Sequence, residues 1–512
     1  MKKAKLLALI LAFIMLIPLV ASCNDPSNVT GPSTTESTPS QSVEEKPEES
    51  TTTGNSNVIT PPQNNNVLVE DNLDDSNIDY NNNDFNLLVW KQSTAEYDFE
   101  DIPEDDVSLA LYNRNRRVEE RLGVVLKYNE IDGGSSALNS FVETAYSSIS
   151  INAKKYDSIA AYTRCAGMLA LKGAYTDLSF GIEGLDLDMP WWPEDITATN
   201  TVADKLYFVT GDIATSLIYQ MLMLVINSDY AMELGYDISE IQSDALLGNW
   251  TIDAMLTLAQ NAYLDNDNVS GVSSDDRFGI YVKGLNSLDL FYMGAGLKYV
   301  ESSEKNGLEI SSTYAGQTSI DILKKFAKAT TEKYFRYDSA DVITKGNSLI
   351  YIVTGASLST TLRDASFTYA ILPAPKYVST QEYYTAVGFP HSLYSIPSDA
   401  RDKDMSGNVL ECMASESYRQ VTPILFEKCF KHKFASTDLD SQILSLIRDR
   451  TTFDVGRTFF EELGGNTNSP TILWRKLASN ASDKIRGHYN QNQERWNKIL
   501  HDNIYAIIDA LD

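Results

Sequence analysis

The chain has 512 residues, of which 43% are hydrophobic, and it carries a formal net charge of −28 at pH 7. Its length predicts more than one hydrophobic core, and its acidity argues against nucleic acid and against an anionic lipid surface as partners. Four cysteines without a CxxC pair exclude a disulfide framework and a zinc ribbon. Cys412 and Cys429 either pair with each other or remain idle thiols.

Residues 1–22 have the pattern of an export signal, with three lysines ahead of an apolar run that is too short for a comfortable membrane span. The residues LVASC at positions 19–23 resemble the bacterial lipobox, in which the cysteine becomes the lipidated first residue of the mature chain. We therefore expect Cys23 to carry lipid and to anchor the protein on the extracellular face of the bacterial cytoplasmic membrane. The alternative is an ordinary signal with a chance cysteine.

Residues 23–85 are rich in Ser, Thr, Pro, Asn and Glu and contain few large apolar side chains. Such a segment buries too little area to offset the entropy of ordering, which predicts a disordered tether. It holds twelve acids and one lysine, and the signal holds three lysines. When both segments are subtracted from the total of −28, residues 86–512 have a net charge of −20. We expect that deleting residues 30–80 leaves the stability of the body unchanged.

The body from residue 86 to 512 alternates short apolar runs with helical patterns, which predicts an α/β architecture. The predicted strands, in chain order, are Phe85–Trp90, Gly123–Ile131, Tyr156–Tyr162, a nearly continuous buried strand at Ser216–Asn227, Phe367–Pro373 and Ser392–Pro397. Predicted helices include Asp106–Leu122 and one that begins after a capping Thr251.

The sequence carries no motif of catalysis or cofactor binding, since HExxH and GxSxG do not occur and the four histidines are not clustered. The run DNDNVSG from Asp265 has Val269 where a calcium loop needs an oxygen ligand and Ser270 where it needs glycine. We therefore predict a protein that is not an enzyme and holds no cofactor and no metal. Its 28 Tyr, 18 Phe and 6 Trp offer rings that stack on sugars, although most rings in any protein pack in its core.

Several short sequence segments follow one another in an order that resembles the order found in one protein family. They are FNLLVW, RNRRVEERLGVVL, YDSIAAYTR, MPWWPED, KLYFVTGD, GNWTIDAMLTLA, DDRFGI, and YAILPAPKY followed by GFPHSLYSIP. On these strings the body resembles the extracellular solute-binding proteins of family 1, the lipoproteins of bacterial ABC sugar importers in the maltose-binding-protein superfamily. The resemblance implies a two-lobe periplasmic-binding-protein-like α/β fold of class II. It also implies a monomer that captures a carbohydrate, such as an oligosaccharide, between its lobes and delivers it to ABC permease subunits.

The resemblance further implies a domain division. We expect lobe 1 to comprise residues 86–210 and 373–432, and lobe 2 to comprise residues 211–372 and 433–512. The chain is expected to cross between the lobes near Phe208–Ala214, near Ala370–Pro373 and near Lys431–Ala435.

The ligand-binding residues implied by the resemblance are Gln92, Glu96, Tyr162, Arg164, Trp192, Asp212, Gly355, Ser357, Phe389, His391 and Trp474. Several of them have a structural alternative, which the sequence leaves open. Arg164 suits vicinal hydroxyls or forms a salt bridge, and Asp212 accepts from a ligand or caps a turn. Trp474 stacks on a sugar or packs in the core. Trp191 and Trp192 either both pack, or one of them lies near the mouth of the cleft.

Two other functions remain open at this stage. A surface glycan hydrolase would release reducing sugar, and a ligand sensor would present its solute to a membrane kinase in place of a permease. Neither is distinguished from a transport protein by the sequence alone.

The lipid anchor makes a direct prediction. Cys23→Ala removes the only thiol to which lipid is expected to be attached, so the variant should leave the membrane fraction while its body keeps its fold. Fractionation after a salt wash checks this, and a variant that stays with the membrane contradicts the lipobox interpretation.

Overall fold

The computed structural model describes residues 69–75, 77–97, 99, 101–305, 307–338, 343–434 and 437–511. The predicted signal at 1–22, the lipidation residue Cys23 and the tether as far as residue 68 lie outside the described residues. Among the helices that are described, none combines the length and the apolar character needed to cross a membrane.

The strands are β1 (Asn83–Trp90), β2 (Val124–Ile131), β3 (Ser158–Tyr162), β4 (Leu222–Asn227), β5 (Phe278–Lys283), β6 (Val300–Ser303), β7 (Gly307–Ile310), β8 (Phe335–Asp338), β9 (Ser348–Thr354), β10 (Tyr369–Leu372), β11 (Thr385–Ala386), β12 (Ser392–Ser395) and β13 (Thr451–Thr452).

The α-helices are α1 (Asp106–Leu122), α2 (Leu138–Ser150), α3 (Thr163–Ala170), α4 (Glu194–Asn200), α5 (Thr215–Tyr219), α6 (Ser228–Glu233), α7 (Ile238–Leu246), α8 (Ile252–Ala259), α9 (Asp289–Gly294), α10 (Gln317–Ala329), α11 (Gly355–Ser359), α12 (Lys403–Glu416), α13 (Asp438–Asp449), α14 (Val455–Thr458), α15 (Gly465–Asn468), α16 (Pro470–Ser479), α17 (Ile485–Lys498) and α18 (Ala506–Asp509). Tighter 3-10 turns occur at Lys91–Glu96, Leu285–Leu288 and Ile343–Lys345, and wider π-helical turns at Ser417–Val421, Pro423–Phe434 and Ile499–Tyr505.

Lobe 1 is built on a four-stranded sheet in the order β12-β3-β1-β2, in which β1 runs parallel to β2 and β3, and β12 is an antiparallel edge. The predicted strand at Phe85–Trp90 is confirmed, and its apolar side chains are buried because helices pack on the sheet. The helix Asp106–Leu122 is also confirmed; Asp105 caps its start and Gly123 ends it in the left-handed conformation.

Lobe 2 is built on a five-stranded sheet in the order β10-β4-β9-β5-β8. The strand β4 runs antiparallel to both β9 and β10, whereas β5 runs parallel to β9 and β8. Every residue of β4 is buried, as its unbroken apolar run predicts. Thr251 accepts from the backbone of Ala254 and caps α8, as predicted, and the helix ends at Ala259.

The predicted long strand at Ser216–Asn227 is wrong in its first half, because α5 occupies Thr215–Tyr219 and the strand begins at Leu222. The reason is a buried carboxylate. Glu96 accepts from the backbone N–H of Ser216 and from the hydroxyl of Thr215, which satisfies the free donors at the start of a helical turn.

A crossing was predicted near Ala370–Pro373. In the structure, Ala370, Ile371 and Leu372 belong to β10, which pairs with β4 inside the five-stranded sheet. The chain stays on lobe 2 beyond this point, since Gln381 donates to the carbonyl of Gly294 at 2.7 Å and Tyr383 donates to that of Ala245 at 2.6 Å. The chain then continues through β11 into β12 of the four-stranded sheet.

The chain passes between the two sheets at two other places. The first runs from Val209, which bridges to Tyr394, to the start of β4. The last runs through the π-helical turns at Pro423–Phe434, between α12 on lobe 1 and α13 on lobe 2.

The predicted end of the tether at residue 85 is also wrong, because the described chain packs on lobe 1 from Val69 onward. Asp71 is almost completely buried and forms ion pairs with Arg121 at 2.7 Å and with Arg419 at 3.2 Å. Burial raises the pKa of Asp71, but hydrogen bonds from Arg121, Ser415 and Arg419 outweigh it and bring the pKa down to about 2. Removal of residues 30–80 would delete this anchor, so the expectation of unchanged stability does not hold.

Trp191 and Trp192 are both buried, and both indole N–H groups donate to one carboxylate, Glu411 on α12, at 3.0 and 2.9 Å. Trp192 is thus packed within the protein, and its role as a ligand-binding residue stays a prediction. A buried indole needs an acceptor, and a single carboxylate serves two adjacent rings because it has two oxygens. These two hydrogen bonds hold the loop that contains Trp191 and Trp192 against α12.

Trp474 likewise packs in the core, and its role as a ring that stacks on a sugar stays a prediction. It has no exposed surface, its indole N–H donates to Ser319 at 3.1 Å, and its ring meets that of Tyr292 at 4.9 Å. The apolar run ILW places it on the buried face of α16. Cys412 and Cys429 are free thiols, so the alternative of a disulfide between them is wrong too.

Glu411 makes the stability of the protein depend on pH. Burial raises its pKa from 4.5 to about 7, although the two indole groups oppose the shift. The folded state therefore binds a proton that the unfolded state releases above pH 4.5, so this group's contribution to stability falls between pH 4.5 and 7 by about 3 kcal/mol. In Glu411→Gln that fall should disappear. Urea unfolding of both proteins at pH 5 and pH 8 checks this, and equal pH dependence in both contradicts it.

The core position of Trp474 has a different consequence for mutation. Trp474→Ala should lower the free energy of unfolding by about 3–5 kcal/mol, since it opens a cavity and leaves Ser319 without its partner. Urea unfolding measures the loss, with Trp474→Phe as a milder control. A variant of wild-type stability would show that the ring does not hold the core.

Candidate functional site

Four of the predicted ligand-binding residues lie together where the lobes meet. Tyr162 ends β3, Arg164 is in the first turn of α3, and Phe389 and His391 lie in the passage from β11 to β12. The ring of Phe389 meets that of Tyr162 edge to face at 5.8 Å and stacks with His391 at 6.2 Å. They converge because β3 and β12 are neighbours, and Thr163 is hydrogen-bonded to the carbonyl of His391 at 3.1 Å.

A fifth part of the site comes from residues Thr451–Leu463, which we call the junction segment, and the sequence reasoning missed it. The guanidinium of Arg457 lies 4.4 Å from the centre of the Phe389 ring. That of Arg164 lies 5.0 Å from the ring of Phe460 and forms an ion pair with Glu461. The signal that could have found the segment is its composition, FDVGRTFFEE, with four aromatic or cationic side chains and three acids in ten residues.

The junction segment is bonded to both lobes. On lobe 1, Asp195 accepts from the backbone of Phe453 at 2.7 Å, and Thr458 donates to Asn200 at 2.8 Å. On lobe 2, the backbone of Tyr299 donates to Asp454 at 2.6 Å. The segment therefore ties the two lobes together in this conformation.

The electrostatics of the site centre on buried ions. Asp289 on α9 is fully buried and forms an ion pair with Arg475, with 2.7 Å between Oδ1 and Nε. Arg457 lies farther off, at 3.4 Å from the same carboxyl. Burial raises the pKa of Asp289, but the two arginines outweigh it and hold the pKa below its ordinary value. One carboxylate is thus shared unequally by two guanidinium groups.

Arg457 is the less satisfied of the two. It is 5% exposed, and its Nε and Nη2 groups have no hydrogen-bond partner among the described residues. Its Nη1 group donates to the carbonyl of Val387 in the passage between the lobes. Burying N–H donors without acceptors is unfavourable, so this edge of the guanidinium is suited to a ligand oxygen.

The titrating groups nearby are set by burial. Burial lowers the pKa of His391 to about 4, so its ring is neutral at pH 7. Burial also raises the pKa of Asp454 to about 6, although the backbone N–H groups of Tyr299 and Gly456 favour its charged form. Residues including Thr163, Phe389, His391 and Arg457 enclose a space of ≈ 10 Å³, which is room for about one water molecule. A larger ligand can enter only when the lobes separate.

Three other predicted residues lie near the lobe crossing but do not line this space. Glu96 is buried and accepts from Ser392 at 3.0 Å as well as from α5. Asp212 accepts from Thr422 and pairs with Arg448 at 3.2 Å, and its burial raises its pKa. Gln92 accepts from the backbone of Gly133 at 3.2 Å and holds a loop of lobe 1.

Gly355 and Ser357 form the start of α11. The hydroxyl of Ser357 belongs to a capping box with Thr354. A Cβ on Gly355 would come within 2.8 Å of the carbonyl of Ile218, so glycine is needed for close packing against α5. Both residues have local structural roles.

One group of carboxylates could be considered for a metal. Oxygens of Asp265, Asp267 and Asp276 lie within 4.8 Å of one another. Asp276 already accepts from Tyr263 at 3.0 Å and from the backbone of Ser273 at 2.9 Å. These hydrogen bonds account for the cluster as a loop structure, in keeping with the missing calcium-loop ligands in its sequence.

Comparison with known proteins places the fold. No protein-family model matches the chain, and no curated protein matches its sequence. Among solved structures, the GacH receptor of Streptomyces glaucescens, solved without ligand and with acarbose, has a TM-score of 0.51 at 14% identity over 82% of this chain and 99% of its own. UgpB of Mycobacterium tuberculosis, solved with glycerophosphocholine, has a TM-score of 0.52 at 16% identity over 82% of this chain and 98% of its own.

A third structure is similar to the same extent. The extracellular solute-binding protein of Staphylococcus aureus, in complex with maltose, has a TM-score of 0.51 at 10% identity over 80% of this chain and 98% of its own. At such low identity the agreement concerns the fold, and it extends over nearly the full length of each of these proteins. The chain therefore has the two-lobe α/β fold of the solute-binding proteins of the maltose-binding-protein type.

Proposed function

We propose that the protein is an extracellular solute-binding lipoprotein that captures a carbohydrate between its lobes and delivers it to an ABC permease. Two features support the proposal: the two-lobe fold, and the mixture of side chains at the junction of the lobes. The observation that carries it is the buried edge of Arg457, whose Nε donor has no acceptor among the described residues and whose Nη2 donor has a 3.4 Å ion-pair contact with Asp289 but no hydrogen bond. Oxygens of a ligand would supply the missing acceptors.

The chemistry of the junction suits a sugar. A pyranose ring presents apolar C–H faces and a rim of hydroxyl groups, so its site needs aromatic rings together with donors and acceptors. Tyr162, Phe389 and Phe460 supply the rings. Arg164 and Arg457 supply donors, and the carboxylate of Glu461 supplies acceptors.

The ligands in the similar structures are compatible with this choice. Two of them hold carbohydrates, acarbose and maltose, whereas UgpB holds glycerophosphocholine. A choline head group carries a positive charge, and in this chain the rings of the site are already faced by the guanidinium groups of Arg164 and Arg457. Repulsion between like charges therefore favours an uncharged sugar over a choline ester.

Binding without turnover is the activity that we expect. A glycoside hydrolase needs one carboxyl that gives a proton and another that attacks or activates water. Here Glu461 is paired with Arg164, and both oxygens of Asp454 accept from backbone N–H groups. We expect the protein to act as a monomer, held at the cell surface through Cys23, and to signal its loaded state to the permease by closure of its lobes.

The proposal predicts the effect of one substitution. Arg457→Gln removes the unpaired donors and the charge, so it should weaken binding of a carbohydrate ligand by about tenfold to one-hundredfold, in line with the loss of a charged hydrogen bond. Calorimetric titration against a panel of linear and cyclic oligosaccharides measures this.

Arg450→Gln is the matched control, because Arg450 is half-exposed, lies seven residues away and pairs only with Glu382 at the surface. It should bind like the wild type, and circular dichroism should show that both variants fold. If no carbohydrate binds, or if both variants bind equally well, the proposal is wrong.

A further inference from the structure

Residues 69–75, which precede β1 and which we call the strap, are bonded to the body through one buried carboxylate. Both oxygens of Asp71 accept from Arg121 on α1, at 2.7 and 3.0 Å. Asp71 also accepts from the hydroxyl of Ser415 and pairs with Arg419 at 3.2 Å. Its side chain is 2% exposed, so these bonds are shielded from water.

Arg419 belongs to the part of the chain that leads from one lobe to the other. Helix α12 ends at Glu416, and the π-helical turn Ser417–Val421 joins it to the last passage at Pro423–Phe434. Arg419 lies in this turn, and it also donates to the backbone carbonyl of Val69 at 3.4 Å. The strap is thus bonded to the beginning of the last passage as well as to α1.

The buried charges between the strap and the body balance. Asp71 and Glu416 are the two carboxylates, and each pairs with both Arg121 and Arg419. The side chain of Glu416 is 1% exposed, and its distances to the two guanidinium groups are 2.9 and 2.7 Å. Removal of Asp71 would leave both guanidinium groups on one carboxylate. A buried charge that loses its partner is strongly unfavourable.

Two half-exposed groups decide which arginine would lose most. Asp75 pairs with Arg121 at 2.8 Å, and Arg117 pairs with Glu416 at 3.3 Å. Without Asp71, Arg121 therefore keeps Asp75, whereas Arg419 shares Glu416 with two other arginines. Arg419 would relieve this by turning towards solvent, which releases the turn to which it belongs.

The same turn is bonded to the first passage, which starts at Val209. One nitrogen of Arg114 on α1 donates to the hydroxyl of Ser417 at 3.2 Å and to the backbone carbonyl of Ile213 at 3.4 Å. Arg114 is fully buried. It therefore holds the beginning of the last passage beside the first passage.

The contacts continue from the turn to the five-stranded sheet. The hydroxyl of Thr422 donates to Asp212 in the first passage, and Asp212 pairs with Arg448 on α13 at 3.2 Å. Helix α13 is held to β10, because Asp440 accepts from the backbone of Ile371 at 2.8 Å. A continuous series of hydrogen bonds and ion pairs thus leads from the strap, through both passages, to lobe 2.

We propose that the strap restrains the separation of the lobes by holding the turn at the beginning of the last passage. The strap directly follows the predicted tether in the chain, so the attachment of the tether and the movement of the lobes are coupled at Arg419. The inference goes beyond the proposed function, because it concerns the protein without ligand and depends on no particular solute.

The test compares two carboxylates that both bind Arg121. Asp71→Asn removes the charge that holds Arg419, whereas Asp75→Asn removes a half-exposed charge that pairs, among the described arginines, with Arg121 alone. Hydrogen exchange of the full chain without ligand is followed by mass spectrometry. In Asp71→Asn the backbone amides of both passages should exchange at least tenfold faster than in the wild type, and in Asp75→Asn they should exchange at the wild-type rate.

A second readout lies far from the strap in the chain. The backbone N–H groups of Phe453 and Tyr299 donate to Asp195 and Asp454, and these bonds join the junction segment to the two lobes. If the strap restrains the lobes, these amides should also exchange at least tenfold faster in Asp71→Asn. The amides of the buried strands β1 and β4 should keep their wild-type rates.

Arg419→Gln separates coupling from docking, because Asp71 keeps its two bonds to Arg121 while the turn loses its bond to the strap. This variant should release both passages as Asp71→Asn does, and it decides the question if Asp71→Asn does not fold. Faster exchange that is confined to residues 69–75, or that extends equally to β1 and β4, overturns the proposal. Passages that stay protected in Arg419→Gln, or that are released equally in Asp75→Asn, overturn it as well.

Discussion

The arrangement of the lobes depends on how one buried guanidinium is satisfied. Arg457 lies between the passage that carries Val387 and Phe389 and the ion pair of Asp289 with Arg475, so it joins this passage to lobe 2. Removing a charge from water costs several kcal/mol unless its hydrogen bonds are replaced. Here the replacement is incomplete, because Arg475 takes the better position on Asp289. We propose that a ligand oxygen stabilises this same side chain further.

Much of the fold could be predicted from local patterns in the sequence. Apolar runs between turn residues identified β1 and β3, and the caps at Asp105 and Thr251 marked the starts of α1 and α8. The errors occurred where a distant side chain decides the local structure. Glu96 turns the start of an apolar run into α5, and pairing with β4 keeps β10 within lobe 2. No local pattern reveals either contact, since the partners are far apart in the chain.

The candidate site also contains some residues that were predicted from the sequence and others that were missed. Tyr162 and Arg164 were implied by the family resemblance, which places the end of the third strand beside the cleft. Arg457 and Glu461 were missed because the junction segment consists of short elements without a clear period. The packing of the tryptophans could not be predicted for another reason: the sequence does not show whether an indole N–H donates to a sugar or to the buried carboxylate of Glu411.

The central claim is that carbohydrate binding closes two lobes joined by hinge passages and the junction segment. It is tested most directly by the distance between spin labels on the exposed ends of α2 in lobe 1 and α10 in lobe 2, measured by pulsed electron resonance with and without a bound oligosaccharide. Without ligand we expect a broad distribution that extends to longer distances, and with ligand bound we expect a single shorter distance. An oligosaccharide that binds and leaves the distribution unchanged would contradict the account.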